Sequence, residues 1–423
     1  MEVLMSVQAT VIEELIHLIR NSDFQNRHKI ASNAFTRNRK LTFDAVAGMI
    51  LRLIKKSLQI SCNWLGSLSG GTPASKQAFS TARQKISAEC FQELQSAGIK
   101  KFYTSTPKEG LWKGYRIIGA DGSTLRLPES KDLETEFGRG PSAKDAQKSP
   151  PMARISEFKD LTTRLTISGR IAPYNVSEEA LAEEQLVEVV QRMRDCGQKQ
   201  LLFVYDRGYP SEKFINLHLE LGVDFIFRVP RNFNKAVQAI RKEGETENML
   251  IAEGWPLLRV VQFELSSGEE ELLLTSLTDS KEFPKKSLSE VYHSRWIGLE
   301  EGYKRQKITM QMENFSGKTA VAVRQEYWAT LTVANILEMG CVELEGCWIP
   351  ENLPEKHVNR SVVFGSMRDS VIEVLFGLIS PDDYKKRFNQ IAQRAMLKLR
   401  PNRSYSRESL HKPKKFHVYR RSC

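Results

Sequence analysis

One stretch of the sequence gathers acids, bases and aromatic residues at helical spacing. Residues 291–318 read VYHSRWIGLEEGYKRQKITMQMENFSGK, and the polar residues of its first half should fill roughly four or five helical turns. A carboxylate there can hold a metal ion while neighbouring cations bind phosphates. Glu300, Lys304 and Lys307 follow one another at i, i+4 and i+7, which predicts that they share one helix face.

The same stretch also has a plainer interpretation, as a solvated helix. Glu300 with Lys304 and Glu301 with Arg305 are acid-to-base pairs at i, i+4 in the favourable order, which is typical of an exposed helix face. Two other segments favour the chemical interpretation.

Two aspartates follow apolar segments that are predicted to be strands. Residues 115–120 (YRIIGA) form a strand that Asp121-Gly122-Ser123 should break, and Leu201–Tyr205 (LLFVY) ends at Asp206. Taken singly, Asp121 fits a turn and Asp206 fits a helix cap or a partner for Arg207. Strand ends in open α/β sheets are, however, where ligands bind.

Three carboxylates brought together by folding repel one another unless a cation neutralises them. Hard oxygen ligands of this type favour Mg²⁺ or Mn²⁺. Two such ions can activate a water or a 3′-hydroxyl and stabilise the leaving oxygen of an in-line phosphoryl displacement. Asp121, Asp206 and Glu300 are therefore candidate metal ligands and catalytic residues.

The elements that must position these residues predict an α/β layer with a mixed sheet. After the strand at 115–120 come strands at 153–158 and 162–172 with a turn at Lys159-Asp160, a helix at 177–196, the strand Leu201–Tyr205, a helix at 211–221 and a strand at 223–229. Residues 231–285, with a short helix near 235–243 and alternating stretches at 257–265 and 270–277, predict a strand-rich insertion. Helices near 320–345, 367–378 and 381–397 follow.

The N-terminal part reads as helical, with helices at 10–20, 42–57, 75–87 and 88–104. Lys76 and Arg83 lie seven residues apart on one face of the third, so that helix is a candidate for DNA contact. The alternative is an ordinary amphipathic helix. The amphipathic first helix argues against a signal peptide.

The net charge of +11 over 423 residues is concentrated at one end. Residues 385–423 carry thirteen Lys and Arg against one acid, so the rest of the chain has a net charge of about −1. Such a tail suits nucleic acid or another polyanion, and the alternative is a solvated terminus. No apolar run of membrane-spanning length is present, and the six cysteines include no C-x2-C pair, so a reducing cytoplasm fits best.

Three motifs in this order, IIGADGSTLRLP, LLFVYDRGY and YHSRW…EEGYKRQK…ENFSGKT, resemble the DDE transposases of bacterial insertion sequences. The similarity is to the insertion-sequence-4 type, whose third carboxylate lies in a Tyr-x2-Arg-x3-Glu-x6-Lys signature. It spans roughly residues 30–420. It implies a ribonuclease-H-like catalytic domain at 109–345 with a β-rich insertion at 231–285, a DNA-binding helical domain at 1–108, and a helical C-terminal region at 346–423 that is used in assembly.

The resemblance also implies roles for individual residues. Asp121, Asp206 and Glu300 would hold Mg²⁺, for which Mn²⁺ would substitute. Tyr292, Arg295 and Lys307 would hold phosphates near the cleaved end, with Lys304 nearby, and Trp296 would pack against DNA. A flipped base would stack on an aromatic of the insertion, for which Trp255 and Phe263 are candidates.

The signature departs from the family pattern at one point. Arg295 and Glu300 are separated by four residues instead of three, which in an ideal α-helix rotates Glu300 by about 100°. A π-bulge or a late helix start at Gly298 would absorb the extra residue.

The resemblance implies a cytoplasmic, nucleoid-associated transposase that acts on double-stranded DNA as a homodimer. It would cut the 3′ strand at terminal inverted repeats, form a hairpin and join target DNA. The alternatives are a degenerate protein that binds ends without cutting, which the Arg295–Glu300 spacing favours, and a stand-alone nuclease of the same fold.

Overall fold

The protein is described from a computed structural model. The described residues are 6–36, 40–68, 72–141, 149–230, 232–235, 237–238, 247–250, 254–264 and 270–399. The basic tail beyond residue 399 and most of the predicted helix near 235–243 therefore lie outside the described residues.

The N-terminal part is helical, as predicted. Its helices are α1 Val7–Arg20, α2 Ser22–His28, α3 Phe43–Leu51, α4 Leu58–Leu68, α5 Lys76–Arg83 and α6 Glu89–Ser105. The side chains of Ser6, Asn21, Thr42 and Ser75 accept backbone N–H groups at the starts of α1, α2, α3 and α5, which satisfies donors that a helix leaves open. The short helices α2 and α4 were not predicted.

A mixed sheet follows, which confirms the predicted α/β layer. Its first elements are β1 Arg116–Arg126, α7 Lys131–Phe137, β2 Met152–Asp160, β3 Thr166–Pro173, α8 Glu178–Asp195, β4 Leu201–Tyr205, α9 Glu212–Glu220 and β5 Asp224–Val229. Strands β1, β4 and β5 run parallel, whereas β2 and β3 pair antiparallel on the side of β1.

Two predicted turns in this layer are wrong. Strand β1 continues through Asp121-Gly122-Ser123, because β2 provides an antiparallel partner as far as Arg126. Lys159 and Asp160 are the last residues of β2, and the turn comes after them. A non-local hydrogen-bonded ladder thus overrides the local turn preference of Asp-Gly.

The strand-rich segment extends the same sheet. It contains β6 Glu247–Leu250, β7 Leu258–Glu264 and β8 Glu270–Thr275. Strand β8 pairs antiparallel with β5, so the strands of the described residues follow the order β3-β2-β1-β4-β5-β8-β7-β6.

A continuous helical stretch at 285–309, here called the signature helix, lies against one face of this sheet. It consists of α10 Lys285–Arg295, a π-helical segment Trp296–Glu300, α11 Glu301–Lys304 and a second π-helical segment Arg305–Thr309. Apolar side chains of α10 form a buried cluster with inward-facing residues of β1, β4 and β5, whereas α8 and α9 belong to the main core on the other face.

The remaining elements are α12 Ala320–Glu345, β9 Lys356–Val358, α13 Arg360–Leu375, α14 Pro381–Arg394 and β10 Met396–Lys398. Helix α12 is buried along most of its length and packs on β3 as well as on α1, α3 and α6. The N-terminal helices and the sheet therefore share one hydrophobic core through α12. In the described parts of the chain, no helix is both long and apolar enough to span a bilayer.

Candidate active site

Asp121 and Asp206 lie on the same face of two neighbouring strands. The parallel pairing of β1 with β4 ends at Gly119 and Val204, and each aspartate lies two residues beyond that pair. Because side chains alternate along a strand, a step of two residues keeps both carboxylates on the same face. Asp121 is thus not at the end of β1, but it is at the point where β1 and β4 separate.

Asp206 is held by groups of the signature helix and of β5. The Tyr292 hydroxyl donates to Asp206 Oδ1 at 3.0 Å, Arg295 Nη2 lies 3.5 Å from Oδ2, and Arg228 Nη1 lies 3.7 Å from Oδ1. Burial alone would raise the pKa of Asp206, but Arg295, the backbone N–H of Arg207 and the Tyr292 hydroxyl hold that pKa below its usual value. Asp206 is therefore ionised at neutral pH.

Asp121 has the opposite electrostatic character. Burial, reinforced by the carboxylates of Glu178 and Asp206, raises the pKa of Asp121 to about 6, although Arg295 and the Gly122 backbone N–H oppose the rise. The Glu178 carboxyl packs over Gly122, where an added Cβ would lie 2.2 Å from Glu178 Cδ. Asp121 is thus an incompletely neutralised carboxyl, of the kind that a cation stabilises.

The signature helix contacts the sheet on either side of Glu300. Before Glu300, an added Cβ on Gly298 would lie 2.8 Å from Leu161 Cδ2, so the helix backbone approaches the sheet closely there. After Glu300, the Tyr303 hydroxyl donates to the Asp121 carbonyl oxygen at 2.7 Å. Lys307 Nζ then donates to Ser123 Oγ and to the Thr124 carbonyl oxygen, both at 2.7 Å.

The extra residue between Arg295 and Glu300 lies in a π-helical segment, which is one of the two arrangements that the spacing had led us to expect. Trp296–Glu300 is π-helical and Gly298 is buried at its centre. A π turn closes with i→i+5 hydrogen bonds, so it accommodates one residue more than an α turn. The five-residue step from Arg295 to Glu300 therefore covers nearly the rotation that four residues cover in an α-helix.

The lysines of the signature helix do not share one environment. Lys307 is half-buried against β1, whereas Lys304 is exposed and pairs with Glu301 at 3.2 Å. The sequence predicted that Glu300, Lys304 and Lys307 share one helix face and that acids and bases pair at i, i+4. Both predictions assumed an uninterrupted α-helix. Arg305 pairs instead with Glu338 of α12 at 2.9 Å.

Tyr292 and Arg295 are buried, whereas Trp296 is on the surface. The exposed fractions are 4% for Tyr292 and 5% for Arg295, against 46% for Trp296. Both buried side chains are directed toward Asp206. A phosphate contact by Arg295 thus requires that it exchange Asp206 for the phosphate.

The carboxylate oxygens of Asp121 and Asp206 suit a hard divalent cation, although they do not form a complete metal site by themselves. Among the described residues, no three His, Cys, Asp or Glu side chains are grouped so as to hold a metal ion. The charge of Arg295 acts on both Asp121 and Asp206, so a guanidinium partly neutralises the two carboxylates. Carboxylate oxygens on adjacent strands are the ligands that Mg²⁺ and Mn²⁺ prefer.

The two basic residues predicted on α5 differ in exposure. Lys76, the first residue of α5, is half-buried. Arg83 is only 2% exposed and pairs with Glu326 of α12 at 3.1 Å, with further hydrogen bonds to Gln325 and Ser316. A guanidinium enclosed in this way is not available to a DNA phosphate, so Arg83 is corrected to a residue that joins α5 to α12.

Arg83→Met should therefore destabilise the fold instead of weakening DNA binding selectively. The substitution leaves Glu326 buried without its cation, which should lower the free energy of unfolding by about 3–5 kcal/mol. Denaturant unfolding measures this loss, and Lys76→Met is the matched control with an expected change within about 0.5 kcal/mol. Unchanged stability in Arg83→Met would contradict the structural role.

Three residues near Asp121 were not found from the sequence. Glu157 and Lys159 of β2 form a buried ion pair at 2.9 Å, and Gln306 of the signature helix donates to Glu157 at 3.0 Å. The available signal was an acid and a base two residues apart in one strand, because such residues share one face of the sheet.

Two carboxylates lie where β1 and β4 separate, and the signature helix beside them carries a further acid and several bases. This arrangement indicates the class of the protein. The family described as Transposase DDE domain matches residues 112–336, more than half of the chain, and the chain belongs to that family. The predicted resemblance to the insertion-sequence-4 type is confirmed.

The transposase InsG of insertion sequence element IS4 from Escherichia coli (strain K12) is 26% identical over 289 residues. The match covers 63% of this chain and 62% of that relative, so the chain spans just under two thirds of the relative's length. A solved structure of the piggyBac transposase synaptic complex with hairpin DNA aligns at 12% identity with a TM-score of 0.49, over 95% of this chain and 88% of that one.

Proposed function

We propose that this chain catalyses cut-and-paste transposition of DNA, with cleavage of the 3′ strand at terminal inverted repeats and transfer into target DNA. The observation that carries the proposal is the alignment of Asp121 with Asp206 under the signature helix. Membership of the DDE transposase family supports it. A hairpin intermediate and a homodimer on DNA belong to the same proposal.

Asp121, Asp206 and Glu300 would hold Mg²⁺, or Mn²⁺ in its place. The bound ions would activate the attacking oxygen and stabilise the leaving oxygen. Asp206 is ready to bind a cation because its pKa is low, whereas Asp121 would give up its proton near neutral pH. Entry of a cation would release Arg295 from the carboxylates.

The basic residues around the carboxylates would position DNA. Tyr292, and Arg295 once it is released, would contact phosphates at the cleaved end of the DNA. Lys307 would orient the DNA strand beside β1. Lys304 and Trp296 would contact the DNA from the exposed side of the helix, and Lys76 would contact it from the N-terminal helices. Trp255, whose Nε1–H donates to Asn216, and Phe263 remain candidates for stacking on a flipped base.

The architecture proposed for this function has three parts. A ribonuclease-H-like catalytic domain would span 109–345, including the strand-rich part at 231–285. A helical domain at 1–108 would bind the transposon ends, and the region at 346–423 would act in assembly. The order of strands in the sheet, with β1 beside β4 and two antiparallel strands outside β1, supports this proposal. The protein would act in the cytoplasm on nucleoid DNA.

The alternative of a protein that binds ends without cutting depends on the one extra residue between Arg295 and Glu300. A π turn accommodates one residue more than an α turn, so the π-helical segment Trp296–Glu300 supports the catalytic proposal over that alternative. A nuclease that cuts without joining has no observation in its favour over a transposase.

The test is incubation of the protein with Mg²⁺ and a plasmid that carries a marker gene between the element's two end sequences. Excision of the marker with insertion into a second plasmid is the expected result. Binding of labelled end DNA without cleavage would support the degenerate alternative. Cleavage without joined products would support the nuclease. The same plasmid with scrambled ends is the control.

Deletion of residues 402–423 should flatten the salt dependence of DNA binding. The deleted segment carries seven Lys and Arg against one acid. Each phosphate contact that is lost removes about 0.9 from the slope of log K against log salt, so three lost contacts change the slope by about 3. Fluorescence anisotropy at several salt concentrations measures the slope. An unchanged slope would mean that the tail does not contact DNA.

A further inference from the structure

Beside Asp121 lies a buried ion pair, Glu157 with Lys159, whose carboxylate also accepts from Thr166 Oγ1 of β3 at 3.2 Å. Glu157 is the residue directly opposite Asp121 in the β1–β2 ladder, so both side chains lie on the face that the signature helix covers. Glu157 is fully buried and pairs with Lys159, which is 2% exposed, at 2.9 Å. The folded chain therefore buries two opposite charges next to Asp121, which is a candidate metal ligand.

This pair contacts the signature helix at successive positions. Lys159 Nζ lies 5.0 Å from the centre of the Tyr303 ring and 2.6 Å from the position that a Cβ on Gly302 would take. Glu157 Oε2 accepts from Gln306 Nε2 at 3.0 Å. The signature helix thus contacts Lys159 at one turn and Glu157, the ion-pair partner of Lys159, at the next turn.

The contacted residues adjoin those that face β1. Tyr303 also donates to the Asp121 carbonyl oxygen, and Lys307, next to Gln306, donates to β1 beyond Asp121. A shift of the helix by one residue would break the Gln306 bond and bring a side chain against Lys159 in place of Gly302. The pair therefore permits one register of the helix on the sheet.

We propose that Glu157 and Lys159 are positioning residues of the transposase site, which fix the register of the signature helix and hence the location of Glu300 and Lys307 relative to Asp121. The proposal depends on the proposed function. A buried ion pair adds little net stability compared with apolar side chains of similar volume, so register is the property that it supplies. A misplacement of about 1 Å at a reacting centre costs about a hundredfold in rate.

The test compares Glu157→Gln with the double variant Glu157→Gln/Lys159→Met. The single variant leaves Lys159 buried without an anion and should lower the Tm. The double variant removes both charges and should recover the Tm, yet its cleavage of end DNA should stay about a hundredfold below wild type. Hydrogen exchange of residues 299–310 should be faster in both variants. Recovery of cleavage together with the Tm, or unchanged exchange in 299–310, would overturn the proposal.

The buried pair Arg116–Asp160 on the same two strands is the matched control, at 3.1 Å and with both side chains fully buried. Its side chains bond to Tyr103, Gln198 and Thr162, which are not part of the signature helix. Arg116→Met/Asp160→Asn should therefore change neither the exchange of residues 299–310 nor cleavage at temperatures below the Tm. If wild type itself does not cut DNA, the proposed function fails, whereas the exchange of 299–310 still decides whether the pair sets the helix register.

Discussion

Asp121→Asn is expected to abolish DNA cleavage, to leave end binding intact and to make the metal-free protein more stable. A bound cation supplies several kcal/mol of transition-state stabilisation, so loss of one ligand should lower the cleavage rate by about a thousandfold or more. End binding should remain because the Asp121 carboxylate repels DNA phosphates instead of attracting them. Cleavage and end-binding assays at pH 8 with Mg²⁺ measure the two effects.

The gain in stability follows from the raised pKa of Asp121. The pKa is about 6 in the folded protein and 3.8 in the unfolded chain, so the protonated carboxyl favours folding and ionisation opposes it. This contribution is fully present below pH 3.8 and is lost as the pH rises through 6. The asparagine side chain of the variant is neutral at every pH. The variant should therefore gain up to about 3 kcal/mol at pH 8, and about half of that at pH 5.

Thermal unfolding without metal, at pH 5 and pH 8, tests the stability effect. Asp195→Asn on the surface of α8 is the control, and the difference between its Tm and that of wild type should be the same at the two values of pH. Added Mg²⁺ should raise the Tm of wild type more than that of Asp121→Asn, because only wild type offers both aspartates. Equal loss of cleavage and end binding would instead assign Asp121 a role in folding.

The features that the sequence predicted well are those with a local cause. Strand β4 was predicted at its observed bounds because a short, wholly apolar run is typical of a strand that is covered on both faces, and Asp206 follows directly after it. The spacing allowed two arrangements at Gly298, a π-bulge or a late helix start, and the structure has the π-helical one.

The features that were missed depend on partners far away in the chain. Arg83 was predicted on a DNA-binding face, but its partner Glu326 is 243 residues away, and a helical period does not distinguish an inward cation from an outward one. Strand β1 passes through Asp121 because β2 pairs with it, although the local sequence favours a turn. The family resemblance placed Tyr292 and Arg295 among phosphate contacts, whereas their burial on Asp206 is a property of the folded sheet.

Changing the number of residues in the π-helical segment should have effects of very different size in the two directions. Deletion of Ile297 leaves three residues between Arg295 and Glu300. An α turn then replaces the π turn, and Glu300 lies about 40° around the helix from Arg295. Because Ile297 is 36% exposed, its removal leaves no cavity in the core. Cleavage of end DNA should remain within about tenfold of wild type.

Insertion of one alanine after Ile297 has no such compensation. The segment already contains the one extra residue that a π turn accommodates, so a second rotates Glu300 about 100° farther and moves it away from the position that the proposed function assigns to it beside Asp121. Cleavage should fall by at least about a hundredfold, because a carboxylate displaced by several ångströms no longer reaches the site. Ile297→Ala, which keeps the residue count, separates loss of the side chain from change of register. Cleavage that survives the insertion but not the deletion would mean that the π turn does not align Glu300 with Asp121 and Asp206.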